Sequence, residues 1–112
     1  MKLIVAIIRS NKLDQVRESL IDAGIERITV GRVSGHGRHI KEEVYRGKVV
    51  VPGLTPKIRI EIAVTEEYVK KTTDAIIKGA KSGNIGDGKI FVTNIEECIR
   101  IRTGETGREA IG

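Results

Sequence analysis

"KIRIEIAV", residues 57–64, alternates without a fault: Ile58, Ile60, Ile62 and Val64 fall on one face, Lys57, Arg59 and Glu61 on the other. A period of two marks a strand buried on one side only. Thr65 follows as a cap, with Glu66 and Glu67 in the positive first turn of a helix. Val69, Thr73, Ile76 and Ala80 give that helix an apolar stripe, and Gly83 gives it a stop. Upstream, "KLIVAIIR" at 2–9 is apolar on both faces and rich in β-branched residues, which fits a central strand covered on both sides. Ser10 or Asn11 can cap a helix that aligns Leu13, Val16 and Leu20, and Gly24 ends it. Residues 26–34 read as a strand interrupted by Gly31, and 89–95 as the last strand. The order βαββαβ is the ferredoxin-like split unit, an α+β fold. Its two helices cover one sheet face. The doubly apolar strand around Ile4–Ile8 predicts that other copies of the chain cover the second face, making a homo-oligomer.

At 112 residues the chain is expected to be one domain, 1–112. A net charge of +5 and an isoelectric point near 9.6 favour acidic partners such as phosphates, nucleic acid or an acidic protein surface. Phe91, Tyr45 and Tyr68 are the whole aromatic complement, too few for stacking single-stranded nucleic acid. Cys98 is a lone thiol that reads as a small apolar residue, not as half of a disulfide or a metal site. No stretch approaches the ~20 apolar residues of a membrane span. The expectation is a soluble, cytoplasmic protein without membrane insertion, open to peripheral recruitment.

Between the second and third strands lies "GHGRHIKEEVYRGKVVVPGLTP", residues 35–56. About twenty residues is far longer than the usual connection in a small domain, and such loops are mostly functional. Arg38, Lys41, Arg46 and Lys48 stand against Glu42 and Glu43 in it. An exposed arm that reaches a partner and a merely solvated hairpin are the two readings.

"KSGNIGDGKIFV" at 81–92 places Gly83, Gly86 and Gly88 within six positions, ahead of Lys89. Gly83 alone serves as a helix stop. Gly86-Asp87-Gly88-Lys89 lies beyond it, where bare amides can form an anion-binding nest with Lys89 as a point charge. It is not a Walker loop, since GxxxxGK[ST] is absent and a strand follows. Phosphate binding and an ordinary hairpin turn stay equally open on chemistry alone. "GHGR" at 35–38 is a second glycine pair with a basic end, and "IRIRTG" at 99–104 puts Arg100 and Arg102 on one face if extended. Guanidiniums so placed can fork phosphate oxygens, although a solvated strand edge looks the same. Three such elements in one domain favour a polyphosphate ligand. No Ser-His-Asp or Cys-His set and no functional carboxylate pair argues for hydrolysis, and His36 and His39 are isolated. The tail "RTGETGREAIG" reads as flexible at its end.

These residues carry a resemblance. "SGNIGDGKIFV" resembles the B-loop of the PII nitrogen-regulatory signalling proteins, "IRIRTGE" their C-loop, "VYRG" an element of their T-loop, and "AIIR…KLDQVRESL…GI…TV" their opening strand and helix. The similarity runs from Met1 to about Glu105, with the T-loop at about 36–56, the B-loop at 81–89 and the C-loop at 98–112.

The resemblance implies a non-enzymatic homotrimer holding ATP or ADP in each cleft between subunits. It also implies 2-oxoglutarate sensed through Mg2+ on the bound ATP, and a T-loop that docks onto a target. Gly86, Asp87, Gly88 and Lys89 would then cradle phosphates that Arg100 and Arg102 reach from the neighbouring subunit. Ile7, Thr29, Glu61 and Ala63 would line the adenine side, Gly35, Gly37 and Arg38 the T-loop base, and Lys57 would pair with a 2-oxoglutarate carboxylate. The implied target is an ammonium transporter or a nitrogen-metabolism enzyme, and the runner-up is regulation of nitrogen fixation through nitrogenase or its regulators.

Departures from the family pattern sharpen these expectations. His39 stands where the family usually has glutamine, and imidazole is a poor ligand for a hard cation that prefers oxygen. An altered or lost 2-oxoglutarate response follows. The T-loop is one residue short. Val50 falls where enteric members carry the uridylylated tyrosine, while Tyr45 matches the unmodified one, so uridylylation at the usual place is chemically excluded. Ser10 replaces the proline after "IIR". Two other users of the βαββαβ order fit less well. The RNA-recognition motif needs sheet aromatics, where only Phe91 is available. An acylphosphatase-type cradle needs glycine in the first strand-to-helix turn, which "RSNK" lacks.

Overall fold

The computed structural model describes residues 1–37, 43–45, 48–50 and 53–112. Strands β1 (Lys2–Arg9), β2 (Thr29–Gly35), β5 (Thr55–Val64) and β6 (Gly88–Asn94) form one antiparallel sheet in the order β2-β5-β1-β6. The β3 (Glu43–Tyr45) and β4 (Lys48–Val50) strands, which lie between β2 and β5 in the chain, pair antiparallel with each other. Helices α1 (Leu13–Asp22) and α2 (Val69–Ala80) complete a ferredoxin-like βαββαβ unit, and a short α3 (Arg108–Ile111) follows β6.

The pleat sorts the residues. Ile4 pairs with Ile62, Ala6 with Ile60 and Ile8 with Ile58, and all six are buried against Val16, Leu20, Ala75, Ile76 and Ala80 of the helices. Each fully buried large aliphatic side chain there contributes about 1.5–3 kcal/mol. Leu3, Val5, Ile7, Arg59, Glu61, Lys89 and Phe91 alternate onto the other face, where Phe91 is left 51% exposed.

Several local expectations give way. Neither Ser10 nor Asn11 caps α1; both lie inside a 3-10 turn, Ser10–Lys12, that leads into it. At its other end Gly24 behaves as expected. It adopts φ +81° while the Ile25 amide donates back to the Leu20 carbonyl at 2.8 Å and the Gly24 amide to Ile21 at 2.9 Å, a Schellman closure. Thr65 likewise opens a 3-10 turn without a side-chain cap bond. The buried threonine of α2 is Thr72, not Thr73: its hydroxyl donates to the Tyr68 carbonyl at 2.7 Å, whereas that of Thr73 bonds Lys70 at the exposed surface. Gly83 does not stop α2, which ends where Lys81 turns extended at φ −69°, ψ 125°. The long connection is shorter than read, because β5 already begins at Thr55. The tail is folded: the Ile99–Thr106 bridge and α3 organise it.

Candidate functional site

The loop from Lys81 to Gly88 is built around one carboxylate. Asp87 accepts from the backbone amides of Ser82 (2.8 Å) and Gly83 (2.9 Å), from the Ser82 hydroxyl, and from Arg9 Nε at 3.3 Å. Arg9 also donates through Nη2 to the Ile85 carbonyl, so the last residue of β1 grips the loop twice. The Ser82 hydroxyl and amide, then the Gly83 amide and Arg9, hold the Asp87 carboxyl well below the usual carboxylate range. Gly83 therefore has a role that helix-stop logic misses: at φ +84° it turns its amide inward to Asp87.

Gly88 sits at φ +108°, and a Cβ there would lie 1.8 Å from the Ile7 carbonyl oxygen. Gly86, at φ +98°, would put a Cβ 3.0 Å from Arg9 Nη2. The bareness of both glycines thus serves first the close approach of β1 itself, a reason the sequence does not reveal. Among the described residues neither the Ile85 nor the Gly86 amide finds an acceptor within hydrogen-bond distance, which leaves a donor pair at the loop tip.

Cations gather at this end of the sheet. Lys57 Nζ lies 3.5 Å from the Gly86 carbonyl, Lys89 is exposed and pairs in register with Ile7, and Arg9 pairs with Lys57. Gly35 closes β2 opposite Thr55, and Gly37 follows. The structure therefore brings together Ile7, Gly35, Lys57, Gly86, Asp87, Gly88 and Lys89. Within the loop Asp87 acts as organiser, its carboxylate turned to Ser82, Gly83 and Arg9. Arg38 and His39 lie outside the described residues.

Of the remaining candidates, Thr29 and Glu61 pair at mid-sheet, in register with Val5 and Phe91, whereas Ala63 pairs with Leu3 toward the other end. Ala63 borders an open groove of about 360 Å³ lined also by Arg27, Tyr68, Arg108 and Ile111. The segment after β6 folds against this end. The Arg100 amide donates to the Glu105 carbonyl at 2.9 Å and the Gly104 amide to Arg100 at 2.8 Å, so residues 101–103 form a turn. Arg100 and Arg102 are consequently not two neighbours on one extended face. Arg100 reaches Glu105 Oε1 (3.4 Å) and the carbonyls of Glu109 (3.1 Å) and Ala110 (3.5 Å). Arg102 and the fully exposed Ile101 stand at the turn's tip.

β1 separates the two groups. Gly88 is in register with Ile8 and Asn94 with Lys2. Six residues of strand span roughly 20 Å. One chain does not bring Arg100 or Arg102 to the 81–88 loop.

Asp87→Asn keeps the shape but offers only one acceptor oxygen for donors that now meet two. We expect the loop amides of Ser82 and Gly83 to exchange with solvent much faster, while the fold persists. Because the folded-state carboxyl is depressed, its contribution is fully present above the ordinary Asp range near pH 3.8 and fades as pH falls below it. Wild-type loop protection should therefore be flat from about pH 5 to 8. A loss of protection inside that window would show that the Asp87 cluster does not hold the loop.

Fold and site together define a small α+β protein with a cationic, glycine-built loop at one sheet end and a pair of arginines beyond the other. The model of the family "Nitrogen regulatory protein P-II" matches residues 1–105. The Nitrogen regulatory protein P-II of Rhizobium etli is 50% identical over 112 residues, 99% of this chain and 100% of its own. That of Pasteurella multocida is 51% identical over the same shares, and P-II 2 of Methanothermobacter thermautotrophicus is 47% identical, with 97% of its own length covered. Among solved structures, Arabidopsis thaliana PII bound to citrate superposes with a TM-score of 0.77 at 36% identity, over 98% of this chain and 88% of that one. The chain belongs to the P-II nitrogen regulatory family, a family of signalling regulators.

Proposed function

We propose that this protein is an adenine-nucleotide sensor that works as a homotrimer and regulates a target protein through the loop between β2 and β5. The observation that carries the reading is the separation of the two cationic groups along β1. Ile7, Lys57, Lys89 and the 86–88 backbone at one end and Ala63, Arg100 and Arg102 toward the other, with Thr29 and Glu61 between them, become a single phosphate and adenine site only between copies. A head-to-tail contact repeated around a ring makes that juncture at every interface. The partly exposed Phe91 face of the sheet, with Leu3, Val5 and Ile7, supports a partner copy there.

ATP and ADP are the ligands this reading assigns, with phosphates toward Lys89 and adenine toward Ala63. Citrate in the Arabidopsis relative supports a family that takes small anions. Magnesium enters on the nucleotide's own phosphate oxygens; among the described residues no group of three or more His, Cys, Asp or Glu side chains could hold it. His39 in place of glutamine makes the 2-oxoglutarate response altered or absent. The ligands act by favouring one loop conformer, which requires different affinities for the two. The target is an ammonium transporter or a nitrogen-metabolism enzyme; Val50, where a modified tyrosine would stand, favours as second reading a regulator of nitrogen fixation. The cytoplasm is the assigned compartment, and among the described residues no helix is long and apolar enough to cross a membrane.

The test is calorimetric titration of Mg·ATP into the purified protein, with and without saturating 2-oxoglutarate. Binding of ATP supports the sensor, and no binding ends it. Tighter ATP binding with 2-oxoglutarate would show the two ligands coupled despite His39, because coupling is reciprocal. Indifference would make the protein a sensor of adenine nucleotides alone.

A further inference from the structure

Arg100 is engaged before any nucleotide arrives. Its guanidinium holds Glu105 Oε1 at 3.4 Å through Nη1 and the carbonyls of Glu109 and Ala110 at 3.1 and 3.5 Å through Nη2. Those carbonyls belong to α3, the last turn of the chain. Among the described residues the other attachments of α3 are few: Arg108 pairs with Glu67 in the 3-10 turn before α2, and Ile111 and Gly112 line the groove beside Ala63. Behind it stand two positive-φ glycines, Gly104 at +73° and Gly107 at +65°, and a Cβ on either would meet nothing within 4 Å. The segment is thus a strap laid along one wall of the groove, with glycine joints, the Arg100 guanidinium as its main catch and the Arg108–Glu67 pair as a second.

We propose that nucleotide binding releases this strap: a polyphosphate that takes Arg100 removes the catch from Glu109 and Ala110, and α3 lifts from the groove that the base must enter. The inference rests on the reading of Arg100 as a phosphate ligand. Both bidentate edges of the guanidinium fork, Nε with Nη2 and Nη1 with Nη2, use the nitrogen that meets the Glu109 and Ala110 carbonyls, so a phosphate gripped by two N–H groups displaces at least one of them, and the charged acceptor gives the stronger bond. Strap and nucleotide therefore compete for one side chain, and loosening the strap must tighten nucleotide binding by the same factor that the nucleotide loosens the strap.

Hydrogen exchange on the full-length protein reads the strap through the amides of Ala110, Ile111 and Gly112, which donate to Gly107, Gly107 and Arg108. Saturating ATP should accelerate their exchange about five- to tenfold. Arg100→Gln should show the fast rate without ATP and no further change with it. Glu67→Gln, which frees Arg108 and touches no proposed nucleotide ligand, should bind ATP about two- to fivefold more tightly than wild type. Slower or unchanged exchange at Ala110–Gly112 in the ATP complex, or weaker ATP binding by Glu67→Gln, overturns the proposal. Absence of any ATP heat ends the nucleotide reading and this one with it, whereas wild-type strap exchange in Arg100→Gln ends the strap alone.

Discussion

Gly88→Ala is expected to damage this protein more than any other single methyl group. The added carbon would sit 1.8 Å from the Ile7 carbonyl, and the backbone at φ +108° is one that side-chain-bearing residues rarely adopt. Neither party can yield easily, since Ile7 and Ile8 belong to the central strand and Gly88 pairs with Ile8 in register. Overpacking and backbone strain each carry about 1–3 kcal/mol, so a loss of about 2–6 kcal/mol is expected. That corresponds to a fall in the unfolding midpoint on the order of 10 °C or more. Gly86→Ala is the control: at φ +98° it carries the same backbone strain, but its methyl would meet only the far end of the Arg9 side chain, at 3.0 Å, so its loss should stay within about 1–3 kcal/mol while the loop's grip on Arg9 loosens. Thermal unfolding at matched chain concentration reads both, since any association shifts the midpoint. A Gly88→Ala protein that melts with the wild type would mean that β6 does not pass β1 as closely as described.

Gly88 also marks where the sequence stops being legible. That 86–89 is a bare, basic loop can be read directly, and so can every strand of the main sheet, because alternation and a continuous apolar run report which face is buried. What such patterns do not report is distance. Gly79 sits in α2 with nothing to distinguish it from a weak helix former, yet a Cβ there would lie 2.6 Å from Val16 Cα, so it is the contact that lets α1 and α2 close up. Ser19 strengthens the same crossing by donating to the Ala75 carbonyl at 2.7 Å. Arg9 is similarly hidden. It reads as the charge that interrupts "IVAIIR", and only the fold brings it 78 residues along the chain to Asp87. The single signal for it is an aspartate set between two glycines, which accepts from Ser82 and Gly83 of its own loop but draws its charged donor from outside it. The C-terminal turn misleads for the opposite reason: "RTGETG" looks loose by composition, but Thr103, Glu105 and Arg100 bond one another locally.

Mixing two defective chains should restore binding that neither has alone. Lys89 and Arg102 lie at opposite ends of the sheet, each exposed. If they meet the same phosphates, they do so from different copies. Lys89→Ala and Arg102→Ala should each weaken ATP binding about ten- to a hundredfold, the range for losing one charged hydrogen bond to a ligand, with assembly unchanged. Now let the two variants be co-refolded in equal amounts into mixed rings. A cleft is intact when the Lys89 side comes from an Arg102→Ala chain and the Arg102 side from a Lys89→Ala chain. With random assembly about one cleft in four meets both conditions, whatever the number of copies in a head-to-tail ring. Titration should therefore recover about a quarter of the sites at wild-type affinity. A site confined to one chain predicts zero, because every chain then carries a lesion. A chain that never assembles also predicts zero, and its mass in solution would be that of a single copy. Recovery of a quarter of the sites is the one result that requires the loop of one subunit and the arginine turn of the next to face each other across a shared nucleotide.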